Sequence, residues 1–323
     1  MFEMKTIIDG PKKGGQEALA VKNPKNGEVV VNSKEIKKVT LQYCLDVLSN
    51  NKPEEEVAKS VEITESIFKE IISSVDGEFV VSEESYENVL NNIERKNKRT
   101  YDFLTKASND YKRVVFKLCR RIIMKEEIPV SFFLTLLVQL YKGKGCTQEL
   151  SNSRFLHMKE WLPRLCEGLL VDNMRVGILK TTTKFQIGGK PHMRTQFHLF
   201  VVKSLMARCE DCNDGRILTV ADLVKFFDKE RLSGAVACVR EDVDSKALRL
   251  WGKLNCRTSI RVRTGVGLTE EGEAGEVLGQ GSCGGGLVSA RYVDGVVNDY
   301  FHDSEHEDVY GSVRLQPLIY LDD

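Results

Sequence analysis

The chain has 323 residues, with 47 Lys and Arg against 47 Asp and Glu, and 41% of its residues are hydrophobic. A chain of this length and apolar content buries a sizeable core, which excludes an intrinsically disordered protein, a collagen and a low-complexity filament. The longest mostly apolar run has about 14 residues, fewer than the ~18–20 that span a bilayer, so we expect no membrane partner.

The cysteines and the N-terminal sequence indicate an intracellular protein, in the nucleus, the cytoplasm or both. The nine cysteines are an odd number and are scattered along the chain, unlike the dense, even framework of a small secreted scaffold. The first residues contain no apolar stretch typical of a secretory signal. We therefore expect reduced thiols and no disulfide-linked partner.

Charge is distributed unevenly along the chain, although the net charge is zero. Residues 101–200 hold 17 basic and 8 acidic side chains, an excess of 9 basic, whereas residues 251–323 hold 6 basic and 12 acidic. A basic centre suits a polyanion, and an acidic C-terminal part suits cations. Taken alone, such a charge asymmetry is more typical of a solvated surface, so it needs motifs to support a functional interpretation.

The first predicted elements are a hairpin and a series of helices. Asn26-Gly27 indicates a turn before a strand at 28–32, and Ser33 is the expected cap of a helix that ends before Pro53. An acidic, Ser-rich stretch follows, and then a helix over 86–105.

The next predicted helix, over 111–124, has two faces of different character. The apolar positions share one face, and they are Val114, Val115, Leu118 and Ile122. The basic positions line the other face, and they are Lys112, Arg113, Lys117, Arg120 and Arg121. Helical spacing therefore predicts a buried stripe opposite an exposed basic surface.

Strands and helices alternate in the remainder of the chain. The segment 129–141 is predicted to start helical and to become a strand before the loop Lys142-Gly-Lys-Gly145. Strands are predicted over 216–221, 258–264 and 311–321, and helices over 245–255 and 286–301. This mixture predicts the α+β class.

Aspartates directly follow two of the predicted strands. Asp222 comes after the strand 216–221, and Asp322 and Asp323 come after the strand that ends at Leu321. If both strands belong to one sheet, three carboxylates meet at one edge and offer the oxygen ligands that Mg²⁺ prefers. A pair of such ions clamps the attacking and leaving oxygens of an in-line displacement at phosphorus. Each Asp taken singly is more typical of a turn.

Two further segments suit a phosphorylated ligand. The segment Gly279–Gly286 has five glycines among eight residues, so its backbone can approach a ligand closely, although it lacks the Walker pattern. The loop at Lys142 and Lys144, followed by Arg154, offers cations to phosphate oxygens. A helix-capping turn and a solvated surface loop are the alternatives.

In this order the segments resemble the motifs of reverse transcriptases. Ala221-Asp-Leu-Val-Lys-Phe-Phe-Asp228, Gly279-Gln-Gly281 and Tyr320-Leu-Asp-Asp323 resemble motifs A, B and C, with 58 residues from Asp222 to Gln280 and 42 more to Asp322. The segments 141–145, 152–156 and 185–189 are similar to the fingers motifs of that family. The form of motif A is similar to that of non-LTR (LINE-like) retrotransposon polymerases.

The resemblance implies a right-hand polymerase of α+β class. Its fingers would lie over 101–210 and a partial palm over 211–323, preceded by a mostly helical N-terminal linker over 1–100. The implied activity is RNA-directed DNA synthesis, and the implied partners are an RNA template, a DNA primer and deoxynucleoside triphosphates.

The resemblance also implies a metal site. Asp222 and Asp322 would ligate two Mg²⁺ ions, for which Mn²⁺ could substitute, and Asp323 would complete the site.

Six further residues match positions that contact the nucleotide in the family. Lys142 or Lys144 would hold the triphosphate of the incoming nucleotide, together with Arg154. The ring of Phe227 would act as the steric gate that excludes a 2′-hydroxyl. The other two, Gln280 and Gly281, would border the nucleotide and the template base.

The chain departs from the family pattern at three places. Pro317 interrupts the last predicted strand, where it removes one backbone hydrogen-bond donor. Gly284-Gly-Gly286 stands where a Ser-Pro pair usually follows the Gln-Gly of motif B, and Asp323 is the last residue where the family continues into the rest of the palm and a thumb. We therefore expect a truncated polymerase, thumb absent, that is inactive as this chain. A non-catalytic nucleic-acid-binding remnant and a degenerate product without a selected function are the alternatives.

The remaining cysteines and histidines predict no second site. Cys209-Glu-Asp-Cys212 is a single pair without further zinc ligands at the expected spacing, and a surface turn is the favoured interpretation. The five histidines are dispersed, and nothing near Cys283 lowers the pKa of its thiol.

Overall fold

The structure is a computed structural model that describes residues 20–50, 52–74, 79–95, 102–213, 215, 220, 223, 226–276, 278–303, 309–310, 313–314 and 318–320. The helices are α1 Ser33–Leu48, α2 Glu54–Ser74, α3 Glu83–Arg95, α4 Asp102–Thr105, α5 Asn109–Lys125, α6 Trp161–Thr181, α7 Gln196–Cys212, α8 Phe226–Lys229, α9 Leu232–Val239, α10 Ser245–Cys256 and α11 Gly285–Asp303. The strands are β1 Val21–Lys22, β2 Val29–Val30, β3 Leu134–Tyr141, β4 Ser153–Met158, β5 Thr258–Thr264, β6 Gly267–Leu268, β7 Gly272–Gly275, β8 Val309–Tyr310 and β9 Val313–Arg314. The protein is therefore of mixed α+β class, as the sequence predicts.

The main sheet is mixed and has β3 and β5 at its centre. The strand β3 pairs antiparallel with β4 and parallel with β5, while β6 and β7 pair antiparallel with β5. The strand β5 alternates between buried and half-buried residues along its whole length, as the period-two pattern of 258–264 predicts. The predicted helix-to-strand change within 129–141 is also present, as a short 3₁₀ helix over Val130–Phe133 that leads directly into β3.

The two faces of this sheet differ. One face is buried, because Leu137, Ile260 and Val262 pack against Cys44 of α1. On the other face the register sets Arg154 of β4 opposite Leu140 of β3, and sets Arg261 and Arg263 of β5 beside Leu136 and Val138. Paired residues share a face, so the second face carries three arginines.

A large helical core lies beside the sheet. It includes Phe68 of α2, Tyr86 of α3, Cys119 of α5, Leu169 of α6 and Trp251 of α10, all of them buried. Helices from both the first and the last third of the chain therefore share one continuous apolar interior. No helix among the described residues is long and apolar enough to cross a membrane.

Helix starts and faces differ from the sequence prediction in several places. The cap of α1 is Asn32 and not Ser33, because the Asn32 side chain accepts hydrogen bonds from the backbone N–H groups of Lys34 and Glu35. In α5 the apolar stripe is rotated, so that Val115, Phe116 and Cys119 are buried while Val114 is 63% exposed. The acidic stretch after Pro53 forms α2, which the sequence did not predict.

Two further sequence predictions concern α5 and α7. Leu118 of α5 is exposed and not buried, since it projects from the basic side of that helix. Cys209 and Cys212 lie in the last turn of α7 and not in a loop. The first correction concerns which face of a helix is buried and the second concerns where a helix ends, and local sequence patterns determine neither with certainty.

Candidate functional site

The three predicted metal-binding aspartates, Asp222, Asp322 and Asp323, lie outside the described residues. The segment just before the last two is described, and Ile319 is buried there. Its backbone pairs with the segment 185–189, because Ile187 N–H donates to Ile319 C=O at 3.0 Å and Ile319 N–H donates to Phe185 C=O at 3.0 Å. Two of the segments that resemble polymerase motifs therefore lie side by side.

The segment 185–189 is itself held by buried hydrogen bonds. Gln186 is fully buried, and its side-chain amide accepts a bond from Gly188 N–H and donates one to the Ala290 carbonyl of α11. Just before it, Thr183 donates through its N–H at 2.8 Å and through its hydroxyl to the Asp294 carboxylate of α11. These bonds fix the segment against the helix that follows the glycine-rich loop.

The turn between β3 and β4 presents the predicted phosphate-binding cations. Lys142 and Lys144 are exposed there, and Lys142 Nζ donates to Ser151 C=O at 2.9 Å. Arg154 is exposed on β4, on the sheet face that also carries Arg261 and Arg263. The sequence did not predict that β5 contributes to this basic face, because only the pairing of β3 with β5 shows it. The alternate arginines at 261 and 263 were the signal that the sequence contained.

The glycine-rich segment 279–286 docks on the edge of β4. His157 N–H donates to Gln280 C=O at 2.9 Å, so the loop satisfies a backbone donor that an edge strand would leave open. A Cβ at Gly279 would overlap the His157 ring, and one at Gly281, whose φ is +101°, would lie 3.2 Å from His157 C=O. Packing against His157 therefore leaves no room for a side chain at Gly279 and little at Gly281, whether or not the loop binds a ligand.

Phe227 lies on the short helix α8, half-buried, with its ring 5.5 Å from that of Phe226. The helix α8 lies against α1, and Glu230 just after it accepts a hydrogen bond from the Ser289 hydroxyl of α11. This bond ties the residues just after the segment that resembles motif A to the helix that follows the glycine-rich loop.

A buried polar network, which the sequence did not reveal, lies behind the glycine-rich loop. Lys159 Nζ lies 2.5 Å from the Glu167 carboxylate and also donates to Leu254 C=O and to the Asn255 side chain. Asn255 in turn donates to Trp251 C=O, and the Trp251 indole N–H donates to Cys283 C=O at 2.9 Å. The network connects β4, α6 and α10 to the loop, so it fixes where the loop sits.

His157 sits in this interior as a neutral side chain. Burial and, to a smaller extent, the nearby Lys159 ammonium lower its pKa to about 3. Its Nε2 atom is buried and has no hydrogen-bond partner among the described residues. It faces a small recess that is also lined by Gly279, Gly281 and Ser282.

The described residues contain no group of three or more His, Cys, Asp or Glu side chains that could hold a metal ion. In the comparisons with known proteins, neither a protein-family model nor a curated protein matches this chain.

Proposed function

We propose that this chain is the fingers and partial palm of an RNA-directed DNA polymerase of the non-LTR retrotransposon type. The observation that carries the proposal is the role of β4 as a meeting point. It bears Arg154, it is joined through the β3–β4 turn to Lys142 and Lys144, and its edge holds Gln280 by a backbone hydrogen bond. Residues from three motif-like segments, one of them more than 120 residues further along the sequence, therefore lie along one hairpin.

A second contact supports the same proposal. The backbone of Ile319, three residues before Asp322, pairs with the segment 185–189, which also resembles a family motif. The basic sheet face of Arg154, Arg261 and Arg263 suits the phosphates of a nucleic acid or a nucleotide.

The carboxylates of Asp222, Asp322 and Asp323 are the donor type that Mg²⁺ takes in proteins. When bound, two such ions activate the primer hydroxyl and neutralise the charge on the leaving group. In this proposal Lys142, Lys144 and Arg154 hold the nucleotide phosphates.

The test is primer extension by the purified chain on a primed RNA template with deoxynucleotides and Mg²⁺. We expect little extension by the 323-residue chain, and extension once a palm continuation and a thumb are appended to it. In that extended protein Asp222→Ala should abolish extension, while Asp211→Ala, at an exposed position on α7, retains it. Failure of the folded, extended protein to extend any primer that it binds would contradict the catalytic proposal.

A second candidate function is nucleic-acid binding without catalysis, and the surface of α5 favours it. Arg113, Lys117, Arg120 and Arg121 are exposed on this helix. Among the described residues, no carboxylate lies within ion-pair distance of Lys117, Arg120 or Arg121, whereas Arg113 lies 3.9 Å from Asp110. Unpaired cations on one helix face are available to phosphates, which they bind in a sequence-independent, salt-dependent way.

The test of this candidate is charge reversal on α5. Changing Arg113, Lys117, Arg120 and Arg121 to Glu should weaken binding to any RNA or DNA and make its dependence on salt less steep. The matched control reverses four exposed lysines elsewhere, namely Lys34, Lys38, Lys59 and Lys69, with the same change in net charge. Equal loss of affinity in both variants would contradict a binding role for α5.

A further inference from the structure

A cleft of about 240 Å³ opens between α3, α6 and the end of the glycine-rich loop. At ~30 Å³ per water this is room for roughly eight water molecules, or for one small organic ligand. None of Lys142, Lys144 and Arg154 lines it. An inference about this cleft therefore stands independently of the proposed polymerase function.

Two arginines of α6 line the cleft without an ion pair to any described residue. Arg164 and Arg175 are half-buried, and neither guanidinium has a hydrogen bond or an ion pair with any residue that the structure describes. Because they are eleven residues apart on one helix, their Cα atoms lie ~16 Å apart along its axis, at opposite ends of the cleft. A guanidinium that faces a cleft with its donors free is suited to bind an anion.

The wall opposite Arg164 presents further unused hydrogen-bonding groups. The loop enters α11 at Gly285 and Gly286, where the first backbone N–H groups of a helix have no intrahelical acceptor. The Ser282 hydroxyl is buried and has no partner among the described residues. In the adjoining recess, which shares Arg164 and Ser282 with the cleft, His157 is only 5% exposed and its Nε2 has no partner either.

The end of the cleft near Arg175 has a different character. Asp172 lies one turn before Arg175, and its carboxylate accepts a hydrogen bond from Ser85 Oγ at 2.9 Å, which fixes its position. One carboxylate oxygen remains able to accept from a ligand hydroxyl. Apolar side chains form the walls between the two ends, and they are Val89, Ile93, Val171 and Leu287.

We propose that this cleft binds the phosphate monoester of a small polyhydroxylated molecule, such as a sugar phosphate. The phosphate lies between Arg164, Ser282 and the first turn of α11, where cation, hydroxyl and helix N–H groups converge. The hydroxyl groups of the ligand donate to Asp172, and its carbon skeleton contacts the apolar walls.

The test is calorimetric titration of the full chain with ribose 5-phosphate, inorganic phosphate and ribose. We expect saturable binding of ribose 5-phosphate, weaker binding of inorganic phosphate and none of ribose. Arg164→Gln should weaken binding of both phosphorylated probes about tenfold, since it removes a charge-assisted hydrogen bond. Asp172→Asn should reduce the preference for ribose 5-phosphate over phosphate, and Arg194→Gln, at an exposed site before α7, should change neither.

Several outcomes decide against the proposal. Absence of saturable binding to the folded chain overturns it, as does equal affinity in the chain and in Arg164→Gln. Equal affinity for ribose 5-phosphate and inorganic phosphate overturns the hydroxyl-binding part. If Arg164→Gln does not fold, Ile93→Trp, which fills the cleft from the α3 side, replaces it and should abolish binding while the circular dichroism spectrum is retained.

Discussion

Lys159 and Glu167 form an ion pair in the interior of the protein. Their side chains are only 7% and 1% exposed, so both charges have lost most of their hydration. Such a pair contributes little net stability, but loss of one partner leaves the other charge buried and uncompensated. Here the Lys159 ammonium also donates hydrogen bonds to Leu254 C=O and to the Asn255 side chain. Removal of the ammonium would therefore leave these two buried acceptors without that donor as well.

The first prediction concerns this pair. Lys159→Met should lower the free energy of unfolding by about 3–5 kcal/mol, whereas the double change Lys159→Met with Glu167→Leu should recover a large part of that loss. Urea denaturation measures both. The control is Lys106→Met, which breaks the exposed pair with Asp102 and should cost no more than about 1 kcal/mol. A double variant as unstable as the single one would contradict the argument.

The second prediction concerns the pH dependence of stability. His157 has a pKa of about 3 in the folded protein and 6.5 in the unfolded chain, so the unfolded state takes up a proton first as the pH falls. The contribution of His157 to stability is therefore complete above pH 6.5 and is lost progressively towards pH 3. Between pH 8 and pH 5 the loss is ~2 kcal/mol.

Denaturation of variants at both pH values measures this contribution. Between pH 8 and pH 5, His157→Gln should lose ~2 kcal/mol less of its free energy of unfolding than the unaltered chain does. His192→Asn, at an exposed position, should keep the full pH dependence. If both variants respond to pH like the unaltered chain, His157 is not the group responsible.

The glycine-rich loop and α11 contain two glycines that should respond in opposite ways to an added side chain. Gly284 has a φ of +82°, and a Cβ there would overlap Val171, whereas a Cβ at Gly286 meets nothing within 4 Å. The two positions are only two residues apart in the sequence. Variants at them therefore compare a glycine with positive φ and close neighbours with a helical glycine that has open space around it.

The third prediction uses this pair of positions. Gly284→Ala should destabilise the protein by more than ~1 kcal/mol, because a side chain at positive φ is strained and also clashes. Gly286→Ala should stabilise it by up to ~1 kcal/mol, because alanine favours the helix. Thermal unfolding of the two variants gives the sign of each effect, and a stabilised Gly284→Ala would show that the loop is not held as described.

Local patterns predicted many of the elements. The strand at 258–264 and the helices at 245–255 and 286–301 have clear alternation or helical spacing, and the structure contains them. The helix α2 was missed because its acidic and serine residues hide an apolar stripe that includes Phe68, which is buried. Propensity is a weak guide in such a segment, since packing decides whether the helix forms.

The arrangement of the candidate site was predictable only in part. The residues Lys142, Arg154 and Gln280 were identified from the order of their motifs, but their common link to β4 depends on contacts between distant parts of the chain. The network around Lys159 left no trace in the sequence, because a single lysine in a mixed segment is typical of a surface. The arginines at 154, 261 and 263 are separate in the sequence, and only the pairing of β3 with β4 and β5 places them on one face of the sheet.

At the scale of the whole molecule, one apolar core crosses the expected divisions of the chain at 100 and 210. It joins Phe68 and Tyr86 to Leu169, Trp251 and Val288. Elements that share an interior in this way stabilise one another, so we expect them to unfold together.

The fourth prediction is a single unfolding transition. The fluorescence of the two tryptophans, Trp161 and the fully buried Trp251, should change with the same midpoint as the helical signal in circular dichroism. Separate midpoints for the two probes would indicate that the helices of the first third unfold independently of the rest.

The contact between the glycine-rich loop and β4 also has a consequence for how the gene can change over time. A side chain at residue 279 has no room while a ring occupies residue 157, so neither position can drift without regard to the other. A lineage that replaces Gly279 is expected to have first acquired a small residue at 157. The two positions, 122 residues apart in the printed sequence, should therefore be inherited as a pair.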